Sequence, residues 1–513
     1  MTRLREFPLI VALALVVLLV INLPYALAYQ AGGFAGILVA PADGYSYLAK
    51  IRQGYVGNWL FTLPYTAEPG PGAFLFTYYL ALGHLARWTG LGVELSYHLA
   101  RLGAGFLFLM TAYHFITNFM ADRRSRLLTW LVFVTSSGLG WLVVLAGGSV
   151  PADMWITESI PFLSVYANAH FPLGWALVLW IFQWTWPSLA GDGTPPRWRL
   201  TLAGLATVLL AEVYPMILVV VAAILAGSAA LLTWRRRQWA PADWLPLAVV
   251  AACAAPRLAL TAWLLNQLPI LAAGSPGGQA PQLTPPPGEA LVWGGVILAL
   301  AVAGLARALP PRASAVMALA PREHLLIWIV IGALALYAPL DTQRRLSLGL
   351  WMPMTVLAVD FLREGIWPRV PQMARPLLVG VLALCLGLSN VLVWVAGLGA
   401  ALTRSTTVFL TPAEVEAIDR LPAGAVVVAD PYLGGVIPAR SEARVVYGHP
   451  FETVGGERVL AQVEGVFSGT VAIEAIDVGR PIDVVLSSGR TPRPTLPGWR
   501  VVFQQDEVIV YAR

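Results

Sequence analysis

Residues 8–28 read PLIVALALVVLLVINLPYALA, a run without a single charge. As a helix, such a run crosses the ~30 Å hydrocarbon core of a bilayer. Thr2-Arg3-Leu4-Arg5 ahead of it has the look of a secretory signal. However, the apolar run passes about 20 residues, and no small-residue cleavage site precedes Asn22-Leu23-Pro24, which predicts a retained span. Comparable runs recur near 72–89, 94–119, 126–147, 172–190, 199–213, 214–233, 242–270, 289–309, 322–340, 345–362 and 375–401. The expected fold is therefore an α-helical polytopic membrane protein with about 11–13 transmembrane helices.

Composition agrees with that reading. The chain is 58% hydrophobic and 12% charged, with mean hydropathy +0.70, whereas soluble domains carry about 25% charged residues. Glu212 and Pro215 sit in the middle of 199–233, which predicts two short helices or one kinked helix. Ser136-Ser137-Gly138-Leu139-Gly140 is a candidate break within 126–147. Three connections exceed a turn: 29–71, 148–171 and the Pro/Gly/Gln-rich 271–288. No internal repeat of 20–50 residues is visible.

The chain divides near residue 404. Residues 1–404 carry 24 basic and 15 acidic side chains, a net of +9, and 405–513 carry 9 and 13, a net of −4. The basic excess belongs to membrane loops facing anionic lipid, and no nucleic-acid partner is expected. Arg3 and Arg5 place the N-terminus in the cytoplasm and loop 29–71 outside. The cluster Asp122-Arg123-Arg124-Ser125-Arg126 breaks simple alternation, so one segment between 72 and 147 is expected to be re-entrant or interfacial. In 405–513, Thr411-Pro412-Ala413-Glu414 reads as a helix start, helical pattern fills 411–420 and 456–466, and β-branched runs occupy 425–429, 445–447, 482–486, 500–503 and 507–511. This is a small α/β soluble domain with enough residues for its own core. Cys253 and Cys385 lie in apolar segments and read as small core hydrophobes.

Acids are scarce near the first span. Between Glu6 and Glu94 the only carboxylates are Asp43 and Glu68. Asp43 opens an amphipathic stretch from Tyr45 to Trp59, expected to be an interfacial helix with Lys50 and Arg52 on its polar side. An acid there favours the helix N-terminus, and it is also placed to act as a general base at the membrane surface. Glu68 and Tyr47 are candidate substrate contacts. The second loop offers Asp153, Glu158 and His170. Asp153 or Glu158 together with Asp43 could hold a divalent cation such as Mg or Mn through oxygen ligands, although the spacing does not demand it. Tyr97, His98 and Arg101 stack on one helix face, and Glu212 and Arg257 are intramembrane charges suited to pairing with each other or to lining a cavity. Arg344-Arg345 could clamp a phosphate. No Walker A, GxGxxG or GxSxG motif is present.

Pro41-Ala42-Asp43-Gly44-Tyr45-Ser46-Tyr47, the tract Tyr65-Thr66-Ala67-Glu68-Pro69, the second-loop acids and Gln343-Arg344-Arg345-Leu346-Ser347 lie in a layout that resembles the GT-C superfamily of integral-membrane glycosyltransferases. That superfamily includes protein mannosyltransferases, lipid A aminoarabinose transferases and oligosaccharyltransferases. Here Asp43 is followed by Gly44 rather than by a second acid. The resemblance implies transfer of a sugar from a polyprenyl-phosphate donor to an extracytoplasmic acceptor at a bacterial cytoplasmic membrane. Asp43 would act as general base, with Arg101, Arg344 and Arg345 as candidates to hold the leaving phosphate and Tyr47, Glu68, His98 and His170 as further substrate contacts. The C-terminal domain would lie outside the cytoplasm, with Asp430-Pro431-Tyr432 and Tyr447-Gly448-His449-Pro450 as possible acceptor contacts. The rival reading is a transporter or flippase of lipid-linked or small polar substrates, favoured by Glu212 and Arg257 but lacking repeat symmetry.

Overall fold

The computed structural model describes residues 2–189, 195–268, 282–308 and 319–513. The irregular segment expected over 271–288 lies outside the described residues up to 281. Six helices among the described residues are long and apolar enough to cross a membrane: Glu6–Ala31, Val93–Ile116, Ile217–Arg236, Pro241–Gln267, Pro287–Leu305 and Gln372–Leu402. The chain is a multi-pass membrane protein.

In order, the helices are α1 Thr2–Ala31, α2 Pro41–Tyr55, α3 Thr77–Thr89, α4 Val93–Ile116, α5 Arg123–Thr135, α6 Gly140–Leu145, α7 Pro161–Ala167, α8 His170–Leu189, α9 Arg197–Val213, α10 Ile217–Arg236, α11 Pro241–Gln267, α12 Pro287–Ala308, α13 Pro321–Leu336, α14 Trp351–Phe361 and α15 Arg375–Leu402. Then follow α16 Pro412–Asp419, α17 Pro431–Arg440 and α18 Gly456–Ser468, interleaved with β1 Val426–Ala429, β2 Arg444–Val445, β3 Val484–Ser487, β4 Arg500–Gln505 and β5 Val508–Ala512.

The chain forms two compact units. The first comprises Met1–Asn22, Arg101–Ala259 and Gln282–Ala396. In it α8 packs on α9, and α12 packs on α14. The stretch 126–147 is broken where the Ser-Ser-Gly run predicts. Between α5 and α6 the Ser137 N–H donates to the Leu386 carbonyl at 2.7 Å and the Leu139 N–H to the Val292 carbonyl at 2.8 Å. Neighbouring helices thus satisfy the backbone groups that a break in an apolar medium exposes. The stretch 199–233 is two helices, α9 and α10, with Pro215, which has no N–H to continue the ladder, between them. Glu212 and Arg257 form an ion pair at 2.9 Å.

The second unit comprises Leu23–Ala100, Leu260–Pro281 and Gly397–Arg513. Its sheet has the order β2-β1-β3-β5-β4, parallel between β2, β1 and β3 and antiparallel beyond. Period-two alternation sends Val426 and Val428 to one face, packed on Val459, Val463 and Phe467 of α18. Val427 and Ala429 face the other way, onto α16, α17 and α2. The Thr411 capping box expected from sequence starts α16: Glu414 N–H donates to Thr411 Oγ1 at 3.1 Å, and Thr411 N–H to the Glu414 carboxylate at 2.8 Å. Asp430-Pro431-Tyr432 starts α17, with Asp430 accepting from the N–H groups of Tyr432 and Leu433.

Two expectations give way in this unit. Residues 405–513 do not build their core alone, since Ile37, Tyr45, Leu48, Ile51 and Tyr65 of the first loop belong to it. Lys50 is not on a solvated face of α2; it is fully buried. An amphipathic helix needs an apolar partner, but its pattern does not say whether that partner is lipid or protein.

Helices α2 and α3 approach closely at Gly54 and Gly83. A Cβ on Gly83 would stand 2.0 Å from the Ile51 carbonyl oxygen, and one on Gly54 would stand 2.1 Å from that of Leu80. Gly83→Ala must therefore push backbone against backbone, at a cost of about 1–3 kcal/mol or more. The thermal midpoint of the purified protein is expected to fall by roughly 5 °C. An unchanged midpoint would refute this account of the crossing.

Candidate functional site

Helix α2 begins at Pro41, whose missing N–H would have no intrahelical partner in any case. Asp43 lies in its first turn, where the helix dipole favours a negative charge. Its Oδ1 is 3.2 Å from His449 Nε2, and half of its side-chain surface is open against 3% for the histidine. His449 Nδ1 accepts from the N–H groups of Phe451 and Glu452, both at 3.1 Å. With Nδ1 occupied as an acceptor, the ring proton sits on Nε2 and is donated to Asp43. Tyr65 stacks on the same imidazole, with ring centroids 5.8 Å apart.

Three and seven residues beyond Asp43, on the same helix face, stand Ser46 and Lys50. Both donate to Glu452, the Ser46 hydroxyl to Oε1 at 2.7 Å and the Lys50 ammonium to Oε1 and Oε2 at 2.7 and 3.0 Å. Lys50 also lies 4.4 Å from the Phe76 ring centroid. Burial pushes the Glu452 carboxyl up, but the Lys50 charge and the bonds from Lys50 and Ser46 outweigh it, leaving the group below the usual carboxylate range.

The other expected residues of this unit have distinct roles. Tyr47 stacks on Tyr79 at 4.7 Å and 10°. Glu68 is exposed and lies against Gly479. His98 is buried, its Nε2 3.0 Å from the Gly36 carbonyl and its ring edge-on to Tyr25 and Tyr29.

In the first unit, the structure gathers Glu158, Arg344, Arg345 and His170 around Tyr214. Arg344 Nε is 3.5 Å from Glu158 Oε1, and the Arg344 guanidinium lies 4.7 Å from the Trp155 ring centroid. Arg345 donates to the Gln282 side chain and its carbonyl accepts from Tyr214 Oη at 2.9 Å. The His170 ring is 6.1 Å from that of Tyr214. Arg101 is elsewhere in the unit, buried, donating to the carbonyls of Val165 and Tyr166 at 3.2 and 3.0 Å, where the C-terminal end of α7 favours a cation.

Asp153 is turned inward, its Oδ2 accepting the Gly140 N–H at the start of α6 at 3.1 Å. A Cβ on Gly140 would stand 2.0 Å from its Oδ1. Asp153 and Glu158 thus have separate partners, and among the described residues no three His, Cys, Asp or Glu side chains group to hold a metal. Burial holds the Asp153 carboxyl above its ordinary range against its hydrogen bonds from Ser389 and Gly140. A raised carboxyl supplies its stability below its unfolded value, and that stability is lost as pH rises through the folded one. A neutral isostere is therefore at no disadvantage at pH 7. Asp153→Asn, whose amide oxygen still accepts from Gly140, is expected to leave the thermal midpoint at pH 7 unchanged or higher; a fall of several degrees would refute this reading.

The residues missed from sequence are Ser46, Lys50 and Glu452, and the partnership of His449 with Asp43. The spacing 43, 46, 50 was a visible helical face. Its partner, some 400 residues on, carries no local signal.

No protein-family model and no curated protein matches the sequence. Solved structures do share its fold. The archaeal oligosaccharyltransferase AglB from Archaeoglobus fulgidus, in complex with an inhibitory peptide and a dolichol-phosphate, aligns at TM-score 0.50 and 12% identity over 93% of this chain and 69% of its own. ArnT from Cupriavidus metallidurans bound to undecaprenyl phosphate aligns at 0.51 and 15%, over 99% and 97%. The arabinofuranosyltransferase AftD from mycobacteria aligns at 0.54 and 16%, over 99% of this chain and 41% of that one. At these identities the likeness is one of fold.

Proposed function

Because the chain has the GT-C fold, we propose that it is a membrane glycosyltransferase that moves a sugar from a polyprenyl-phosphate donor to an extracytoplasmic acceptor, with Asp43 as general base. The observation that carries this reading is the half-open Asp43 carboxylate at the head of α2. The acceptor oxygen attacks the anomeric carbon as its proton passes to Asp43. The bond from that carbon to the phosphate oxygen breaks, and polyprenyl phosphate leaves with the electron pair. Arg344 and Arg345 are the cations proposed to bind the phosphate as its charge develops. Arg101, the third candidate, donates to the Val165 and Tyr166 carbonyls at the end of α7. The dolichol-phosphate and undecaprenyl phosphate bound to AglB and ArnT support the lipid class of the donor. The reading sets the protein in a bacterial cytoplasmic membrane with residues 405–513 on the outer side.

The test supplies purified protein with undecaprenyl-phosphate carrying a radiolabelled hexose or pentose, with a membrane extract as acceptor source. Label moving into an acceptor is expected. Uptake into proteoliposomes without transfer would replace the reading with the transporter. The Glu212–Arg257 pair, which favoured transport in the sequence, is accounted for as an ion pair.

A further inference from the structure

The turn after β2 is tied to α2 at two points. His449 Nε2 reaches Asp43, and Glu452 reaches Ser46 and Lys50. The turn is itself closed by hydrogen bonds: Thr453 N–H donates to the His449 carbonyl at 3.1 Å, and His449 N–H donates to Thr453 Oγ1 at 3.2 Å. His449 is 2% exposed. With two backbone donors on Nδ1, Nε2 is the ring nitrogen left to carry the proton toward Asp43.

Resting on the transferase reading above, we propose that His449 is a positioning residue: locked as its Nε2–H tautomer by the turn 448–453, it holds the Asp43 carboxylate in one orientation and in its ionised, proton-accepting form. The C-terminal domain thereby supplies part of the catalytic apparatus and not only an acceptor surface. The other ionisable groups around the pair are Lys50 and Glu452, which neutralise each other, and Tyr65 and Tyr79, both kept protonated by burial far above the ordinary tyrosine range.

Glutamine and asparagine separate this role from simple packing. A glutamine carboxamide reaches the position of Nε2 and can donate to Asp43, whereas an asparagine carboxamide reaches only that of Nδ1. His449→Gln is expected to keep kcat within about threefold. His449→Asn is expected to lose about tenfold or more, and the acid limb of its pH–rate profile moves up by about one pH unit, because the ionised carboxylate has lost its donor. Imidazole ¹⁵N spectra of the full-length protein in nanodiscs, with His449 assigned by its loss in His449→Gln, are expected to place the proton on Nε2 at pH 7. Equal rates and equal acid limbs in the two variants and the parent, or a proton on Nδ1, would overturn the proposal. Full transfer by Asp43→Asn would instead bring down the transferase assignment of Asp43, and the spectra read the tautomer whether or not turnover is seen.

Discussion

Asp43→Asn is expected to lower sugar transfer from a polyprenyl-phosphate donor by about 10²–10⁴-fold, the usual contribution of a general base. The substitution keeps size and an oxygen to accept the His449 Nε2–H, so α2 and the turn 448–453 keep their geometry. Only the ability to take a proton is lost. Stability should therefore hold while kcat collapses and the apparent affinity for donor stays nearly constant. Glu212→Gln is the control. Its carboxylate is paired with Arg257 at 2.9 Å, so its loss is expected to cost stability and leave transfer within about threefold. If Asp43→Asn turns over at the parent rate, Asp43 is only the acid that a helix start favours. If Glu212→Gln rather than Asp43→Asn stops the reaction, the chemistry lies in the first unit.

The second large effect is on stability. Lys50→Met is expected to cost about 3–5 kcal/mol, because it leaves Glu452 partly buried without its counter-charge. The methionine refills the space among Phe61, Phe76 and Tyr47, so the loss is chiefly electrostatic. Lys50→Met with Glu452→Gln is expected to recover much of that loss, since the unpaired charge is gone. The pair also sets a pH dependence. The Glu452 carboxyl is held below its ordinary value of 4.5 in the folded state. Its contribution to stability is therefore complete above about pH 4.5 and is lost as pH falls through the lower folded value. Chemical denaturation of the parent between pH 7 and pH 3 should show this decline, and the double variant should show less of it. A Lys50→Met protein as stable as the parent would mean that Glu452 does not depend on Lys50 as its counter-charge.

Much of the architecture was legible in local pattern. Apolar length marked the membrane helices, Ser136–Gly140 marked the break between α5 and α6, Pro215 marked the end of one helix before the next, and Thr411 with Glu414 marked the start of α16. Each of these rests on groups within a few residues of one another. The same holds for Asp43, whose isolation among apolar neighbours was visible at once. Arg101 and His98 were read as candidate ligands because buried polar groups need partners. Arg101 donates to the carbonyls of Val165 and Tyr166 and to the Asn22 side chain, and His98 lies against the Gly36 carbonyl; a backbone carbonyl carries no sequence signature.

From sequence alone come the membrane class, the breaks at Ser136–Gly140 and Pro215, the α/β character of the C-terminal domain and the candidacy of Asp43. All follow from hydrophobic period, capping chemistry and the cost of burying charge, which act locally. Tertiary structure alone decided that α2 packs its apolar face on the sheet domain, that Lys50 is an interior cation, and that a histidine 406 residues away is bound to Asp43. An amphipathic face and an acid each declare a need for a partner. Which partner meets that need depends on how distant segments fold together, and only their packing decides it.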